Sequence, residues 1–390
     1  MSTPVPVLLA GVHGHGRSHL RSLRTLAHSG LVRLVGLCDQ RPVPDGDDLE
    51  GHGPLPCHTD LGEAIERTGA QVTILSTPIH THLPLARTAL EHGSHVLLEK
   101  PTTATLAEFE QLDTAVKTSG LACQVGFQSL GSTAVQYVRA LIDQGEIGRL
   151  RGIGGTGTWV RTSHYYDRAP WAGRRRLDGR DVVDGALTNP FAHALATALA
   201  ITGTHTRAPA RVELEMFHAH PIEADDTSCV RLHTDEGLPI TLAVTLCAPE
   251  HLPPRLVVHG ERGRIEFEYT LDRVTLHRPG RAPTTTTHPR THLLVNLLDH
   301  IRHDRPLLVP PPATRAFMHV LEAVRTAPDP VALPGHMQQV HSTDEGVRRV
   351  IPGIDTLIHR SAEHLALFSE LDPAWDPTSW AGPARTKATP

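Results

Sequence analysis

The sequence contains very little lysine. Only three of its 390 residues are lysine, Lys100, Lys117 and Lys387, and the other side-chain cations are arginines. Arginine stays protonated, whereas a partly buried lysine can shift its pKa and exchange a proton. Lys100 follows the apolar run 95–98, and open α/β sheets place their ligands at the carboxyl ends of such strands. Lys100 is therefore either a catalytic candidate or a loop residue that merely ends a strand.

Cysteine and long apolar segments are also scarce. Five cysteines form an odd set without CxxC spacing, and several lie in apolar runs, so we expect buried free thiols in a reducing compartment. No charged leader precedes the strand that begins at Val5, and no apolar run approaches the roughly 20 residues that span a bilayer. The expected location is the cytoplasm, with no membrane partner.

Charge of one sign is not concentrated anywhere. The net charge of -5 and the absence of a long basic run argue against a nucleic-acid partner. Among the 28 histidines, His15 and His19 are four residues apart, as are His288 and His292, but no HExxH motif occurs and no cysteine accompanies these pairs. The sequence therefore predicts no metal site.

The first 127 residues alternate between short apolar runs and amphipathic segments. Strands separated by helices of about 10–15 residues indicate βαβ units, whose right-handed crossovers produce a doubly wound parallel sheet. The predicted strands are 5–10, 31–38, 72–76, 95–98 and 122–127, and the predicted helices are 17–26, one from 61, 82–92 and 105–117.

The pattern changes after Gln128. A strand at 150–159 and helices at 132–144 and 189–201 are followed by six consecutive strands between 211 and 276. This succession predicts an α+β domain with an open, mainly antiparallel sheet, whose open face favours a homodimer or homotetramer. Helices follow at 292–303, 314–326 and 354–371. The predicted domains are 1–127, 128–334 and a C-terminal helical tail, 335–390.

A glycine-rich loop lies between the first strand and the first helix. It reads Gly11-Val12-His13-Gly14-His15-Gly16, in the context that a dinucleotide-binding loop requires. Glycines allow a tight turn and close approach to a pyrophosphate, and the helix N-terminus supplies N–H groups and a positive dipole. His13 occupies the middle position of the usual GxGxxG pattern. We therefore expect a shifted loop in which Gly14 allows the close approach of the backbone to the pyrophosphate.

Asp39 ends the second strand, 23 residues after Gly16. A carboxylate at this point is expected to bind the ribose hydroxyls of the adenosine and to repel a 2′-phosphate, which favours NAD. Arg41 could pair with that phosphate, so NADP stays possible. The alternative is a solvated aspartate at a strand end.

Ser76, Thr77 and Pro78 end the next strand, and His82 opens the helix that follows. Pro78 is expected to shape the backbone beneath a cofactor. His82 fits a role at the start of the helix as well as it fits contact with a ligand.

Together with Glu99-Lys100-Pro101, these residues resemble the Gfo/Idh/MocA oxidoreductases. The resemblance spans about residues 5–330 and implies an N-terminal Rossmann domain that binds NAD or NADP. It implies that cofactor contacts include Glu99, Lys100 and Gln128.

The same resemblance implies a catalytic set. The family lysine corresponds to Lys100 and the family histidine to His193, whereas Asn189 and Ala196 stand where relatives have aspartate. Alcohol oxidation needs a base near the hydroxyl, and histidine has a suitable pKa. Asn189 is expected to donate a hydrogen bond to substrate, and Asn189→Asp to be tolerated. Alternatively, His193 is a buried core residue and Asn189-Pro190 starts the helix as N-cap and N1.

An aromatic and arginine-rich loop occupies residues 159–176. Aromatic faces and guanidinium groups suit a sugar ring, but the same residue types also favour subunit interfaces. The candidate substrate residues are Arg161, Tyr165, Tyr166, Arg168, Trp171 and Arg174.

The sequence thus predicts an NAD(P)-dependent dehydrogenase that acts on a secondary alcohol of a sugar, polyol or cyclitol. Two alternatives stay open. One is an NAD-dependent enzyme that cleaves glycosides by transient oxidation. The other is a dinucleotide-binding sensor without turnover, which the altered residues His13 and Asn189 would suit.

Overall fold

The computed structural model describes residues 3–41 and 51–380, and this part of the chain divides into two compact units. The first unit contains the described residues up to 131 together with 180–182 and 291–322, and the second contains 132–179, 183–290 and those from 323 onward. None of the helices in the two described ranges combines the length and apolar character needed to cross a bilayer. All five cysteines are free thiols, and four are buried as predicted, whereas Cys57 is exposed.

A six-stranded parallel sheet forms the centre of the first unit. Its strands lie in the order β3-β2-β1-β4-β5-β6, and every neighbouring pair is parallel. β1 and β4 are almost wholly buried, which explains why their sequences are continuous apolar runs. The doubly wound sheet predicted from the sequence is confirmed. The strands are β1 (Val5–Ala10), β2 (Val32–Cys38), β3 (Cys57–His58), β4 (Val72–Leu75), β5 (His95–Leu98) and β6 (Cys123–Val125).

Four helices join these strands, and local signals set their ends. The Asp60 side chain accepts a hydrogen bond from the Glu63 N–H at the start of α2, and Gly69 ends that helix in a left-handed conformation. Thr105 and Gly120 do the same for α4. Because the strand order reverses between β1 and β4, the carboxyl ends of these strands meet at the switch point where such sheets bind ligands. The helices are α1 (Gly16–His28), α2 (Leu61–Thr68), α3 (His82–Glu91) and α4 (Leu106–Ser119).

A nine-stranded sheet forms the centre of the second unit. Its order is β16-β15-β14-β13-β7-β12-β11-β10-β17, and all neighbours are antiparallel except β7 with β12 and β10 with β17. The predicted, mainly antiparallel sheet is confirmed. The elements between residues 132 and 290, with β17, are α5 (Thr133–Asp143), β7 (Leu150–Thr158), α6 (Ser163–Asp167), β8 (Arg176–Leu177), β9 (Arg180–Asp181), α7 (Ala192–Thr202), β10 (Arg211–His218), β11 (Thr227–His233), β12 (Pro239–Thr245), β13 (Arg255–Gly260), β14 (Arg264–Glu268), β15 (Arg273–His277), β16 (Thr284–Thr287) and β17 (Val331–Ala332).

Two later helices, α8 (Leu293–His303) and most of α9 (Arg315–Thr326), belong to the first unit. Buried hydrogen bonds tie their segment to β6. The Gln124 side chain donates to Asn296 Oδ1 at 2.5 Å and accepts from the Val309 N–H at 2.8 Å. The sequence placed both helices in the 128–334 domain, because helical periodicity does not reveal the sheet on which a helix packs.

The C-terminal segment packs on the second sheet. It contains the hairpin of β18 (Gln339–Thr343) and β19 (Gly346–Val350), then α10 (Ile354–His364) and α11 (Phe368–Leu371). A single helix over 354–371 was predicted, but Leu365 interrupts it with a left-handed φ of 54°. This break separates α10 from the segment that places Phe368 and Trp375 in a cluster with Phe217.

Glycines in β7 bring the covering elements close to the sheet. A Cβ atom added to Gly154 would lie 2.0 Å from the Ala362 carbonyl oxygen of α10, and one added to Gly157 would lie 2.3 Å from the Phe191 ring. Neighbouring side chains of a strand point to opposite faces, so these odd and even positions face different sides. The sheet is therefore covered on both faces at β7, and the expectation of a bare face for a second copy is wrong there. The homodimer or homotetramer itself stays a prediction.

Removing the Phe368 ring tests whether the C-terminal segment is part of the core. Phe368 is fully buried, with its ring centroid 5.1 Å from that of Trp375. We expect Phe368→Ala to cost about 3–5 kcal/mol of stability because it leaves a cavity. The exposed Val340 of the hairpin provides the control, and Val340→Ala should change stability by no more than about 0.5 kcal/mol. Urea unfolding followed by circular dichroism measures both, and equal midpoints would contradict the packing described.

Candidate active site

The glycine loop after β1 needs glycine at three positions. Gly11 has a φ of 84°, and a Cβ atom there would lie 2.3 Å from the Ser76 carbonyl oxygen. A Cβ on Gly16 would lie 2.0 Å from the Gly11 carbonyl oxygen, and Gly14 has a φ of 61°. The loop therefore runs directly over the end of β4 and turns at once into α1. Gly14 supplies a left-handed turn, which is compatible with the shifted loop that the sequence suggested.

Asp39 anchors this loop at the end of β2. Its Oδ2 accepts a hydrogen bond from the Val12 N–H at 2.9 Å, and its Oδ1 accepts one from the Arg41 N–H at 2.9 Å. The Arg41 Nε lies 3.9 Å from the same Oδ1. The Asp39 side chain is only 9% exposed, which removes the alternative of a solvated aspartate. The carboxylate is thus held in a defined position beside the loop.

The beginning of α1 suits an anionic group. His15 is the N-cap residue, its side chain makes no capping bond, and the first turn itself contains no acidic residue, so α1 presents the positive end of its dipole there. His13 Nε2 and Ser76 Oγ are buried without a hydrogen-bond partner among the described residues. A glycine cradle, an acid after β2 and unpaired polar atoms at the strand ends together fit a dinucleotide.

Glu99 joins several of these elements at the end of β5. Its Oε1 lies 2.8 Å from His19 Nε2 and 3.4 Å from His15 Nε2, and it accepts a hydrogen bond from Gln128 Nε2 at 3.2 Å. Its Oε2 accepts the Lys100 N–H at 3.2 Å. Glu99 therefore fixes the backbone from which the Lys100 side chain extends.

The Glu99 carboxylate is charged although it is nearly buried. Burial alone would raise its pKa, but hydrogen bonds from His15 and His19 outweigh that effect and hold the pKa well below the usual range. The hydrogen bond to Glu99 in turn raises the pKa of His15. These three side chains have ligand atoms within 4.8 Å of one another and could hold a metal ion. The contacts of the two histidines with Glu99 already explain why the three side chains lie together, so we describe them as an ion-paired cluster.

His82 has a structural position beside this support. It is 1% exposed, its Nδ1 lies 2.9 Å from the Pro101 carbonyl oxygen, and its Nε2 lies 2.9 Å from the Thr77 carbonyl oxygen. Burial lowers its pKa. His82 thus ties the turn after Thr77 and Pro78 to the turn after Lys100, whose peptide bond to Pro101 is cis.

In the second unit, α7 carries the candidate histidine. Every residue from Ala192 to Ile201 is buried except His193, whose side chain is partly exposed in the first turn. This exposure argues against the alternative of a core histidine. The N-cap residue is Phe191, so the suggestion that Asn189 and Pro190 begin the helix is wrong.

Asn189 is paired with an acid that the sequence did not suggest. Its Nδ2 donates a hydrogen bond to Asp184 Oδ1 at 2.5 Å. Asp184 Oδ2 accepts from the Gly173 N–H at 2.8 Å and from Arg168 Nη2 at 3.0 Å. A carboxylate therefore lies beside position 189 although residue 189 is an amide. No simple spacing links Asp184 to Asn189, because the four residues between them form an irregular turn.

The predicted substrate loop is folded largely on itself. The Arg168 guanidinium lies 3.7 Å from the Tyr165 ring centroid and 4.8 Å from that of Trp171. Arg161 lies 4.9 Å from the Tyr165 ring, and Arg174 pairs with Glu223 at 3.6 Å. Burial raises the pKa of Tyr165 to about 12, so its hydroxyl stays protonated. The loop is therefore a preformed surface rather than a set of independent side chains.

Most of the candidate residues thus lie close to other candidates of the same unit. The glycine loop, Asp39, Ser76, Glu99 and Gln128 converge in the first unit, and Asn189 joins Arg168 in the second. The sequence did not suggest Asp184. It did single out His19, which lies four residues after His15, but it assigned His19 no contact with Glu99.

Two family models match the chain. Residues 5–127 match a model described as an oxidoreductase family with an NAD-binding Rossmann fold, and residues 135–266 match a GFO/IDH/MocA C-terminal domain. The matches lie on either side of the change from parallel to mainly antiparallel sheet.

Curated relatives match shorter stretches. The scyllo-inositol 2-dehydrogenase (NAD(+)) of Bacillus subtilis strain 168 is 37% identical over 90 residues, which are 23% of this chain and 26% of that protein. The levoglucosan dehydrogenase of Pseudarthrobacter phenanthrenivorans is 27% identical over 145 residues, 37% of this chain and 36% of that protein. The chain spans less than half the length of these curated relatives.

Solved structures share the fold over most of the chain. The WlbA dehydrogenase from Bordetella pertussis, in complex with NADH and UDP-GlcNAcA, has a TM-score of 0.67 and 20% identity. The match covers 82% of this chain and 95% of that one.

The charge pairing at Glu99 predicts a pH-dependent stability. The pKa of His15 is raised in the folded protein. Its contribution to the free energy of unfolding is therefore complete below the ordinary pKa of 6.5 and is lost as pH rises through the raised pKa. The lowered pKa of Glu99 adds stability that is present above its ordinary value of 4.5 and is lost as pH falls through the lowered value. Glu99→Gln should therefore lower the melting temperature more at about pH 5.5 than at about pH 8.5.

His15→Ala should remove most of this pH dependence in the wild-type background and add little to Glu99→Gln. His28, at the other end of α1, provides the control, since His28→Ala keeps the dependence. A melting-temperature difference that is the same at both pH values would contradict the pairing.

Proposed function

Since the chain belongs to the GFO/IDH/MocA oxidoreductase family, we propose that it is an NAD-dependent dehydrogenase acting on a secondary alcohol of a sugar, polyol or cyclitol. The observation that carries this proposal is the buried Glu99, which fixes Lys100 at the end of β5 beside the glycine loop. The substrate class is supported by relatives named as dehydrogenases of scyllo-inositol and levoglucosan. We propose that the enzyme works in the cytoplasm, where its five thiols stay reduced.

The residues after β1 and β2 are proposed to hold the dinucleotide. Gly11, Gly14 and Gly16 would let the pyrophosphate approach the backbone at the start of α1. Asp39 is fixed and nearly buried, so its charge would repel a 2′-phosphate, which favours NAD over NADP. Arg41 would have to leave Asp39 to bind that phosphate.

Oxidation of a secondary alcohol removes a proton from oxygen and a hydride from carbon. NAD, when bound, accepts the hydride. We propose that His193 takes the hydroxyl proton, because it is the partly exposed residue of an otherwise buried helical stretch. The ammonium group of Lys100 would stabilise the developing charge on the alkoxide oxygen.

Asn189 is proposed to bind the substrate through its amide group. One N–H of the amide donates to Asp184, which fixes the orientation of the group, and the predicted donation of a hydrogen bond to substrate stays part of the proposal. The amide oxygen would accept the hydrogen bond of a substrate hydroxyl. Asp184, which Arg168 and the Gly173 N–H hold in place, is a positioning residue that orients the amide.

The loop 159–176 is proposed to shape the substrate pocket. Stacking of Arg168 between Tyr165 and Trp171 would present a rigid surface to a sugar ring. Arg174, whose side chain is 52% exposed, is the loop arginine that could reach an anionic substituent by leaving Glu223.

Removal of the two proton-handling groups tests the proposal. Lys100→Ala and His193→Ala should each lower the rate of NADH formation by at least about 100-fold. Binding of NAD measured by calorimetry should persist in His193→Ala. Lys117→Ala provides a matched lysine control, because Lys117 is paired with Asp113 on α4. Initial rates would be measured by absorbance with inositols, levoglucosan and common sugars.

Other results would point elsewhere. Failure of the wild-type protein to bind either NAD or NADP would overturn the proposal. Binding without turnover over the whole panel would indicate a sensor. Cleavage of a glycoside without net NADH would indicate transient oxidation.

Asn189→Asp tests the pairing with Asp184. The sequence suggested that this change is tolerated, but it would place two carboxylates against each other at about the present separation of 2.5 Å. Like charges raise the pKa of one partner, so we expect lower activity near neutral pH and a shifted pH profile of kcat. The exchanged variant Asn189→Asp with Asp184→Asn keeps one acid and one amide, and it should recover part of the loss. If Asn189→Asp alone left the activity and the pH profile of kcat unchanged, this result would contradict the proposed pairing of Asn189 with Asp184.

A further inference from the structure

Three chemically different side chains meet in the interior of the second unit, at the ends of adjacent strands. His220 follows β10, Asp226 precedes β11, and Cys247 follows β12. These strands are antiparallel neighbours, so the end of β10, the start of β11 and the end of β12 lie at the same edge of the sheet. The fold thereby brings together an imidazole, a carboxylate and a thiol, although His220 and Cys247 are 27 residues apart in sequence.

The geometry of this cluster suits a small cation. One potential ligand atom from each of the three side chains lies within 4.8 Å of the other two. His220 is 1% exposed, and Asp226 and Cys247 are fully buried. A buried group of three such side chains differs from the exposed acidic clusters that are common on protein surfaces.

The second observation is an unpartnered nitrogen. His220 Nε2 is buried and has no hydrogen-bond partner among the described residues. The ring is oriented by a hydrogen bond with the backbone of Arg161, which must therefore use Nδ1. This is the usual arrangement of a metal-binding histidine, in which one nitrogen is held by a backbone carbonyl and the other binds the ion.

A nearby hydroxyl is also unpartnered. The Tyr166 ring centroid lies 5.0 Å from that of His220, and the Tyr166 hydroxyl is buried without a hydrogen-bond partner in the described part of the chain. Buried polar atoms without partners are rare in folded proteins, and they commonly mark a water molecule or an ion. Tyr166 and His220, whose ring centroids lie 5.0 Å apart, each carry one such atom.

The carboxylate is already positioned. Asp226 Oδ2 accepts the N–H groups of Ala219 at 2.9 Å and His220 at 2.8 Å, and Oδ1 accepts the Thr227 hydroxyl at 3.1 Å. The Ala219 N–H also lies 3.0 Å from Oδ1, and together these bonds fix the orientation of the carboxylate. The ion would take the place of the hydrogen bond between Cys247 and Asp226.

We propose that His220, Asp226 and Cys247 bind one Zn²⁺ ion, with the Tyr166 hydroxyl or a water molecule as the fourth neighbour. A mixture of sulfur, nitrogen and oxygen ligands selects zinc over magnesium or calcium, which prefer oxygen alone. On binding, the S–H bond of Cys247 breaks, the sulfur bonds to zinc and the proton passes to solvent. The thiolate and the carboxylate neutralise the ion, while the positive Arg349 nearby opposes it.

The site would have a structural role. Tyr166 belongs to the loop 159–176, and Arg161, which orients His220, belongs to the same loop. An ion at this place would tie that loop to the ends of β10, β11 and β12. The sequence predicted no metal site, because the three residues are far apart and match no short motif.

Metal content tests the site directly. The full-length protein would be produced with added zinc sulfate, desalted and analysed by plasma mass spectrometry, and we expect about one zinc per chain. Cys247→Ser and His220→Asn should each reduce the content to near zero. Cys229→Ser, which alters another buried thiol of the same sheet, should retain the zinc.

Cobalt substitution provides a second readout that does not depend on the variants folding equally well. Co²⁺ added to the metal-free wild-type protein should produce a thiolate-to-metal charge-transfer band, and this band should persist in Cys229→Ser. A wild-type protein without zinc and without this band would overturn the proposal. Zinc retained by Cys247→Ser would overturn it as well, since the ion would then lie elsewhere.

Discussion

The buried charge of Glu99 is the interaction on which the first unit depends. A carboxylate with so little exposure is costly unless hydrogen bonds and opposite charge compensate for the lost water. His19 and His15 on α1, Gln128 after β6 and the Lys100 N–H provide that compensation. One side chain therefore holds together three segments, which are the start of α1, the end of β5 and the turn after β6. The position of Lys100 follows from this arrangement.

The second unit uses the same principle at Asp184. This carboxylate accepts bonds from Arg168, the Gly173 N–H and the Asn189 amide, and it thereby joins the aromatic loop to the residues before α7. Asn189 is therefore not simply a lost acid. An acid five residues towards the N-terminus, Asp184, accepts the hydrogen bond of the Asn189 amide. β7 is covered by α10 on one face and by Phe191 on the other, so the residues just before α7 pack directly against the sheet.

Much of the fold could be predicted from the residues. The parallel sheet, the antiparallel sheet and most helix positions follow from periodicity and from capping residues such as Asp60 and Thr105. The errors share a cause. Local sequence patterns do not reveal packing partners that are distant in sequence. Such partners determine the break at Leu365, the N-cap at Phe191 and the association of α8 with β6.

By itself, the sequence determined which residues could carry chemistry. Glycines at 11, 14 and 16, an acid after β2 and a rare lysine after β5 are local features, because strand ends and tight turns restrict the residues that fit them. Only the tertiary structure decided which side chains cooperate. It paired Glu99 with His19 and Asn189 with Asp184, and it brought Cys247 to His220, because hydrogen bonds act over about 3 Å in space however many residues separate the groups along the chain.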